Sequence, residues 1–189
     1  MTAQSYYEVL AEAQSDGATL ASSITATSIL PTHARATILP TVLRTPGKTL
    51  HVFAAGRVSC MNPTPGNITL DFRLGPSSTI IVFNGGAIPL NTAAAKTNVT
   101  WWMEMELTLR TVGGGTSSTI LGTGFLQSEV INGAAAGTAE SVSLPATAPA
   151  IGAGFDNTVS NVADLFATFS VSNAANSITL HQYRLTLAN

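Results

Sequence analysis

The chain has 189 residues, 45% of them hydrophobic, with a net charge of −2. Only 10% are Asp, Glu, Lys or Arg, against about 25% in ordinary soluble domains. The length suits one domain with room for an added arm, the near-neutral charge excludes a basic footprint for nucleic acid, and a lone cysteine, Cys60, excludes an internal disulfide.

Residues 1–45 read as an extended N-terminal arm. Its first stretch, MTAQSYYEVLAEAQ, has neither the basic start nor the apolar centre of a signal peptide. No apolar run in the chain reaches transmembrane length, so no membrane is expected as a partner. Ser15-Asp16-Gly17 stops the first stretch, and 19–30 is β-prone but alternates poorly. Pro31 and Pro40 interrupt residues 31–45, and Pro46-Gly47 is a turn. Fixing each backbone residue costs about 1–2 kcal/mol, so an ordered arm needs apolar anchors. Tyr6, Tyr7, Leu10, Ile24, Ile29, Leu30, Leu39, Val42 and Leu43 are the candidates, on this subunit or on a neighbour.

The body, 46–189, reads as strands. Residues 49–61 place Leu50, Val52, Ala54, Gly56, Val58 and Cys60 on one face, with Cys60 a small buried hydrophobe. After the turn MNPTPG, 67–74 alternates, with Ile68, Leu70, Phe72 and Leu74 inward. Residues 78–84 form a third strand, closed by Gly85-Gly86. Residues 98–132 form the strongest feature, two long strands joined by Gly113-Gly114-Gly115. Trp101, Met103, Met105, Leu107 and Leu109 share one face, and Trp102, Glu104, Glu106, Thr108 and Arg110 the other. Residues 132–160 are a long irregular connection, with a short strand at 141–144. Two strands close the chain, 162–171 and 177–187. The second changes phase between Leu180 and Tyr183, which a β-bulge near His181-Gln182 reconciles. This is an all-β pattern, an antiparallel β-sandwich. A jelly roll is the first topology and a simpler Greek key the second.

The residues offer no catalytic machinery. His33, His51 and His181 have no second ligand at i+2 or i+4, so no metal is expected. There is no G-x-S-x-G pattern, and the triple glycine lacks the Lys-Ser/Thr of a phosphate loop. Glu104 and Glu106 line one strand face instead of flanking a cleft, unlike a glycosidase pair. We expect no enzyme and no cofactor. Outward-facing Trp102 is the main candidate contact residue, for an interface or for a sugar ring, and Tyr183 is a second candidate for stacking on a sugar.

Several stretches match in order and spacing: ATSILP (26–31), AAGRVS (54–59), TPGNITLDFRLG (64–75), VFNGGAIPLNT (82–92), KTNVTWWMEMELTLRTVG (96–113), ATAPAIGAGFDNT (146–158) and VADLFATFSVSNAANSITLHQYRLTLAN (162–189). They resemble a family of small virion proteins from tailed bacteriophages. The resemblance implies a non-enzymatic structural component of the capsid cement or decoration type, which clamps the major capsid protein. It implies a homotrimer, seated on the capsid exterior of the virion after synthesis in the host cytoplasm. The alternative is a receptor- or glycan-binding module of a head fibre or tail.

Overall fold

Alternation with a period of two sends every second side chain of a strand to the same face. Here that rule builds two antiparallel sheets. The computed structural model describes residues 7–135 and 137–188. In chain order its strands are β1 (Tyr7–Glu12), β2 (Leu20–Ala21), β3 (Thr27–Ser28), β4 (Ala36–Ile38), β5 (Thr49–Cys60), β6 (Asn67–Leu74) and β7 (Ile80–Asn84). Then come β8 (Ile88–Pro89), β9 (Lys96–Thr111), β10 (Thr119–Ser128), β11 (Glu140–Leu144), β12 (Asn161–Phe169) and β13 (Ser177–Ala188). One 3-10 turn, Thr32–Ala34, precedes β4.

The larger sheet runs β1-β13-β5-β9-β10-β11, with β2 also on β13. The smaller runs β3-β12-β6-β7, with β4 also on β12 and β8 on β6. The first body strand, β5, pairs with the last, β13, and the second, β6, with the next to last, β12. That nesting is jelly-roll-like, and a β9-β10-β11 meander extends the larger sheet. The protein is an antiparallel β-sandwich.

The core lies between the sheets. The large sheet contributes Leu50, Val52, Trp101, Met103, Met105, Leu107 and Leu185, and the small sheet Leu70, Phe72, Leu74, Leu165 and Phe169. Each such side chain contributes about 1.5–3 kcal/mol by leaving water. A side chain at Gly122 would collide with Phe83, which reaches over from the small sheet and fills that space. The phase change in β13 is a register shift between Leu180 and Gln182, and it buries Ile178, Leu180, Tyr183, Leu185 and Leu187 together.

The N-terminal segment, expected to dock on this subunit or on a neighbour, docks on this one over its described residues. β1 and β2 add to β13 at the edge of the large sheet. The chain then crosses to the small sheet, where β3 and β4 add to β12. The crossing brings the backbone at Gly17 against the Ile29 carbonyl, too close for any side chain. Leu20, Ile29, Leu30, Ala34, Ile38 and Leu43 are buried in the core of their own chain. The Asn157 amide donates to the Leu43 carbonyl at 2.6 Å and fixes the end of the segment. Over its described residues, the segment is therefore part of the sandwich. β2, β3 and β4 are two or three residues long, too short to show a period, and the six residues of β1 are broken by a register shift between Val9 and Ala11.

The connection after β11 also has a structural task. Gly152 donates to the Ile120 carbonyl and Ala153 to the Ile81 carbonyl, both at 3.0 Å, so one stretch of backbone spans β10 and β7. Phe155 comes next and is fully buried. This strap closes the open side of the sandwich.

Candidate binding face

The outward positions of the large sheet form a continuous array, because antiparallel register aligns outward residues across the strands. One row reads Arg184, Phe53, Glu104, Phe125 across β13, β5, β9 and β10. The next reads Thr186, His51, Glu106, Thr123. A third reads Gln182, Ala55, Trp102, Gln127. Neighbours in a row sit on strands about 4.8 Å apart, and Glu104 and Glu106 on β9 are about 7 Å apart along the strand.

The aromatic residues of this array are held. The Trp102 and Phe125 rings meet edge to face, with centroids 5.0 Å apart and planes at 89°. The indole Nε1 of Trp102 donates to Gln127 Oε1 at 2.7 Å. Both rings and Phe53 are half-buried, so each presents part of its surface to solvent. A groove of about 620 Å³ runs between β1 and β9 and is lined among others by Tyr7, Val9, Phe53 and Arg184. A second, of about 290 Å³, continues towards Thr123 and Phe125. His51, Glu104 and Glu106 line both.

Within the two grooves the free charges are carboxylates, and the other outward arginines of this sheet, Arg57 and Arg110, lie outside them. Arg184 is the cation of the first groove, and its Nε is engaged by Glu12 Oε1 at 2.7 Å. Glu104 and Glu106 have no ion pair and no hydrogen-bond partner among the described residues. Chemically the face offers carboxylate acceptors beside aromatic surface. It offers no nucleophile paired with a base. Among the described residues no group of three or more His, Cys, Asp or Glu is placed to hold a metal ion. A further groove of about 650 Å³ lies between the small sheet and the strap; it includes Thr69, Asn84 and Ile151 and has no charged lining residue.

The residues singled out from the sequence fall into distinct places. Trp102 lies on this face, whereas Tyr183 is buried in the core, which corrects it as a sugar-stacking candidate. Tyr7 forms the rim of the first groove and is 68% exposed. Ile24 and Leu39 are exposed on the N-terminal segment, at 60% and 54%. Leu10 and Val42 are half-buried and pack against the core. Ile29, Leu30 and Leu43 are buried within their own chain, so they anchor the segment on this subunit and leave no surface for a partner. Tyr6 lies outside the described residues. His51, Phe53, Phe125 and Arg184 join the array without having been singled out as contact residues. Strand parity carried a signal for Phe53, which is out of phase with Leu50, Val52 and Ala54.

No family model matches this chain, and no curated protein matches it. Solved structures do. It is similar to the CBM2 module of the evolved Dit of Lactobacillus casei BL23 phage J-1 over 99% of this chain and 98% of that one, at 9% identity and a TM-score of 0.38. Protein SO2946 of Shewanella oneidensis MR-1, of unknown function, is similar over 96% and 78%, at 12% identity and 0.35. Peanut lectin is similar over 97% and 90%, at 9% identity and 0.32. These are likenesses of fold alone.

Proposed function

We propose that this chain is a non-enzymatic recognition module of a tailed-phage particle, and that the outer face of its large sheet holds a glycan. The assignment to a phage particle draws on the sequence resemblance. The observation that carries the binding reading is the placement of Glu104 and Glu106, unpaired, among half-exposed Phe53, Trp102 and Phe125. Sugar rings have apolar C–H faces that stack on aromatic rings, and hydroxyls that donate to carboxylates. The face supplies both partners on rigid strands, where little ordering is needed on binding.

An oligosaccharide array tests the reading. The wild type should bind at least one host-surface glycan, and Trp102→Ala should weaken that binding by tenfold or more. Absence of binding to every glycan, or equal binding by the variant, would overturn it.

A second reading draws on the exposed apolar side chains of the N-terminal segment, Tyr7, Ile24 and Leu39. On it the chain is a capsid cement that attaches to the major capsid protein as a homotrimer, gaining avidity from repeated sites. Ile24→Asp with Leu39→Asp should then abolish cosedimentation with capsids while glycan binding persists.

A further inference from the structure

We infer that the glycan held by the large-sheet face carries protonated primary amines, as a deacetylated hexosamine polymer does. This rests on the reading of the face as a glycan-binding surface and names the chemistry of its ligand. Glu104 and Glu106 are the ammonium acceptors, and Phe53, Trp102 and Phe125 are the platform.

Charge and neighbours both favour an amine. Glu104 stands between Phe53 on β5 and Phe125 on β10, one strand away on each side. Glu106 stands between His51 and Thr123 on the same two strands. The grooves thus carry two free carboxylates, while their guanidinium, on Arg184, is bound to Glu12 at 2.7 Å, and Arg57 and Arg110, also outward on this sheet, lie outside them. A neutral sugar would leave both carboxylates with hydroxyl donors only. An ammonium group supplies a charge-assisted hydrogen bond to a carboxylate and is attracted to the faces of adjacent aromatic rings. Carboxylate and ring lie side by side here, so one amine can use both.

The geometry also suits a polymer. The two grooves meet at His51, Glu104 and Glu106. A chain lying along them passes the carboxylates in succession and engages more than one amine. The rim residues Tyr7 and Val9 extend the same track to the sheet edge.

The test uses two probes, a β-1,4-linked glucosamine hexamer and its fully N-acetylated counterpart, titrated into the whole chain by calorimetry at neutral pH. The amine hexamer should bind at least tenfold more tightly, and raising the salt concentration should shrink that advantage. Glu104→Gln and Glu106→Gln keep the side-chain shape, and each should weaken the amine hexamer by tenfold or more. Glu140→Gln, at the start of β11, should change nothing and so excludes a general charge effect. Equal or tighter binding of the acetylated hexamer would overturn the inference, as would full affinity in the double Glu104→Gln, Glu106→Gln variant. If neither hexamer binds but another glycan does so through Trp102, the amine assignment falls and the glycan-binding reading stands. If no glycan binds at all, both fall.

Discussion

The two sheets have outer faces built by the same pleat and used in opposite ways. On the large sheet the outward carboxylates Glu104 and Glu106 remain unpaired beside half-exposed aromatic rings. On the small sheet the outward charges are closed in. Asp164 is 1% exposed and accepts from Ser28 Oγ at 2.6 Å and from the Leu165 amide at 2.8 Å, with Arg35 Nε at 3.3 Å. Arg73 pairs with Asp71 at 3.1 Å and lies 4.0 Å from the centre of the Phe166 ring. For Asp164 the difference comes from the N-terminal segment, because Ser28 and Arg35 belong to it, whereas Asp71 and Arg73 are closed in by β6 and β12 themselves. A charge shut away from water must be paired, since the cost of desolvating it is otherwise uncompensated. A charge left in water can stay free for a ligand. The segment therefore commits the small sheet to structure and leaves the large sheet available for recognition.

The strongest way to break this contrast is to delete residues 1–45. The deletion removes Leu20, Ile29, Leu30, Ile38 and Leu43 from the core and strips Ser28 and Arg35 from Asp164. Each lost apolar side chain forfeits about 1.5–3 kcal/mol, against a total stability of about 5–15 kcal/mol. The truncated chain should show no cooperative melting transition and should aggregate. A cooperative transition within a few degrees of the wild type would restore the segment to an independent arm and dissolve the contrast.

A single substitution probes the same seam with a smaller effect. Asp164→Ala removes the acceptor of Ser28 and of the Leu165 amide and leaves Arg35, which is 37% exposed and can turn to water. The loss should be about 1–3 kcal/mol, the usual range for buried groups left without a partner. Urea denaturation measures it as a lower midpoint with an unchanged slope. An unchanged midpoint would show that the small-sheet cluster does not tie the segment down.

The sequence was legible where strands are long and one-sided. β9 has 16 residues with one face buried, so its alternation named Trp101, Met103, Met105, Leu107 and Leu109 as core and Trp102 as outward. β6 and the β13 bulge were legible for the same reason. The N-terminal strands were not, because β2 and β3 have two residues each and β4 has three. Two residues contain no period, and their edge positions are fixed by partners more than 100 residues away. The binding face was legible only on β9, at Trp102, Glu104 and Glu106. Its other members, His51, Phe53, Phe125 and Arg184, come from β5, β10 and β13, and their adjacency is a matter of cross-strand register. Phe125 was hidden further by its neighbour Leu126, since two adjacent apolar residues do not say which points inward. Phe155 had no signal at all, because it plugs the core from a strap without regular structure.

The smallest expected effect concerns Asp71, and it tests how completely the small-sheet face is closed. Asp71 is 5% exposed, and its Oδ1 has no hydrogen-bond partner among the described residues. Burial pushes its carboxyl above the ordinary value of 3.8, and the nearby Arg73 only partly offsets this. Asp164 shifts in the same direction, again chiefly through burial. An acid whose pKa is higher folded than unfolded binds more protons in the folded state across the interval between the two values. Stability then falls as pH rises through that interval, and above it the cost of holding the charge is fully present. Wild-type stability should therefore carry a downward contribution as pH climbs from about 3.8 to the raised folded value. Asp71→Asn removes the titrating group but keeps its size and a hydrogen-bonding end for Arg73. The variant should lie within about 1 kcal/mol of the wild type at neutral pH, and the difference between the two should vary across the acid interval and be flat above it. A difference that stays constant at every pH would mean that water reaches Asp71 freely. The small-sheet face would then be open like the large one, and the division of labour between the sheets would rest on Asp164 alone.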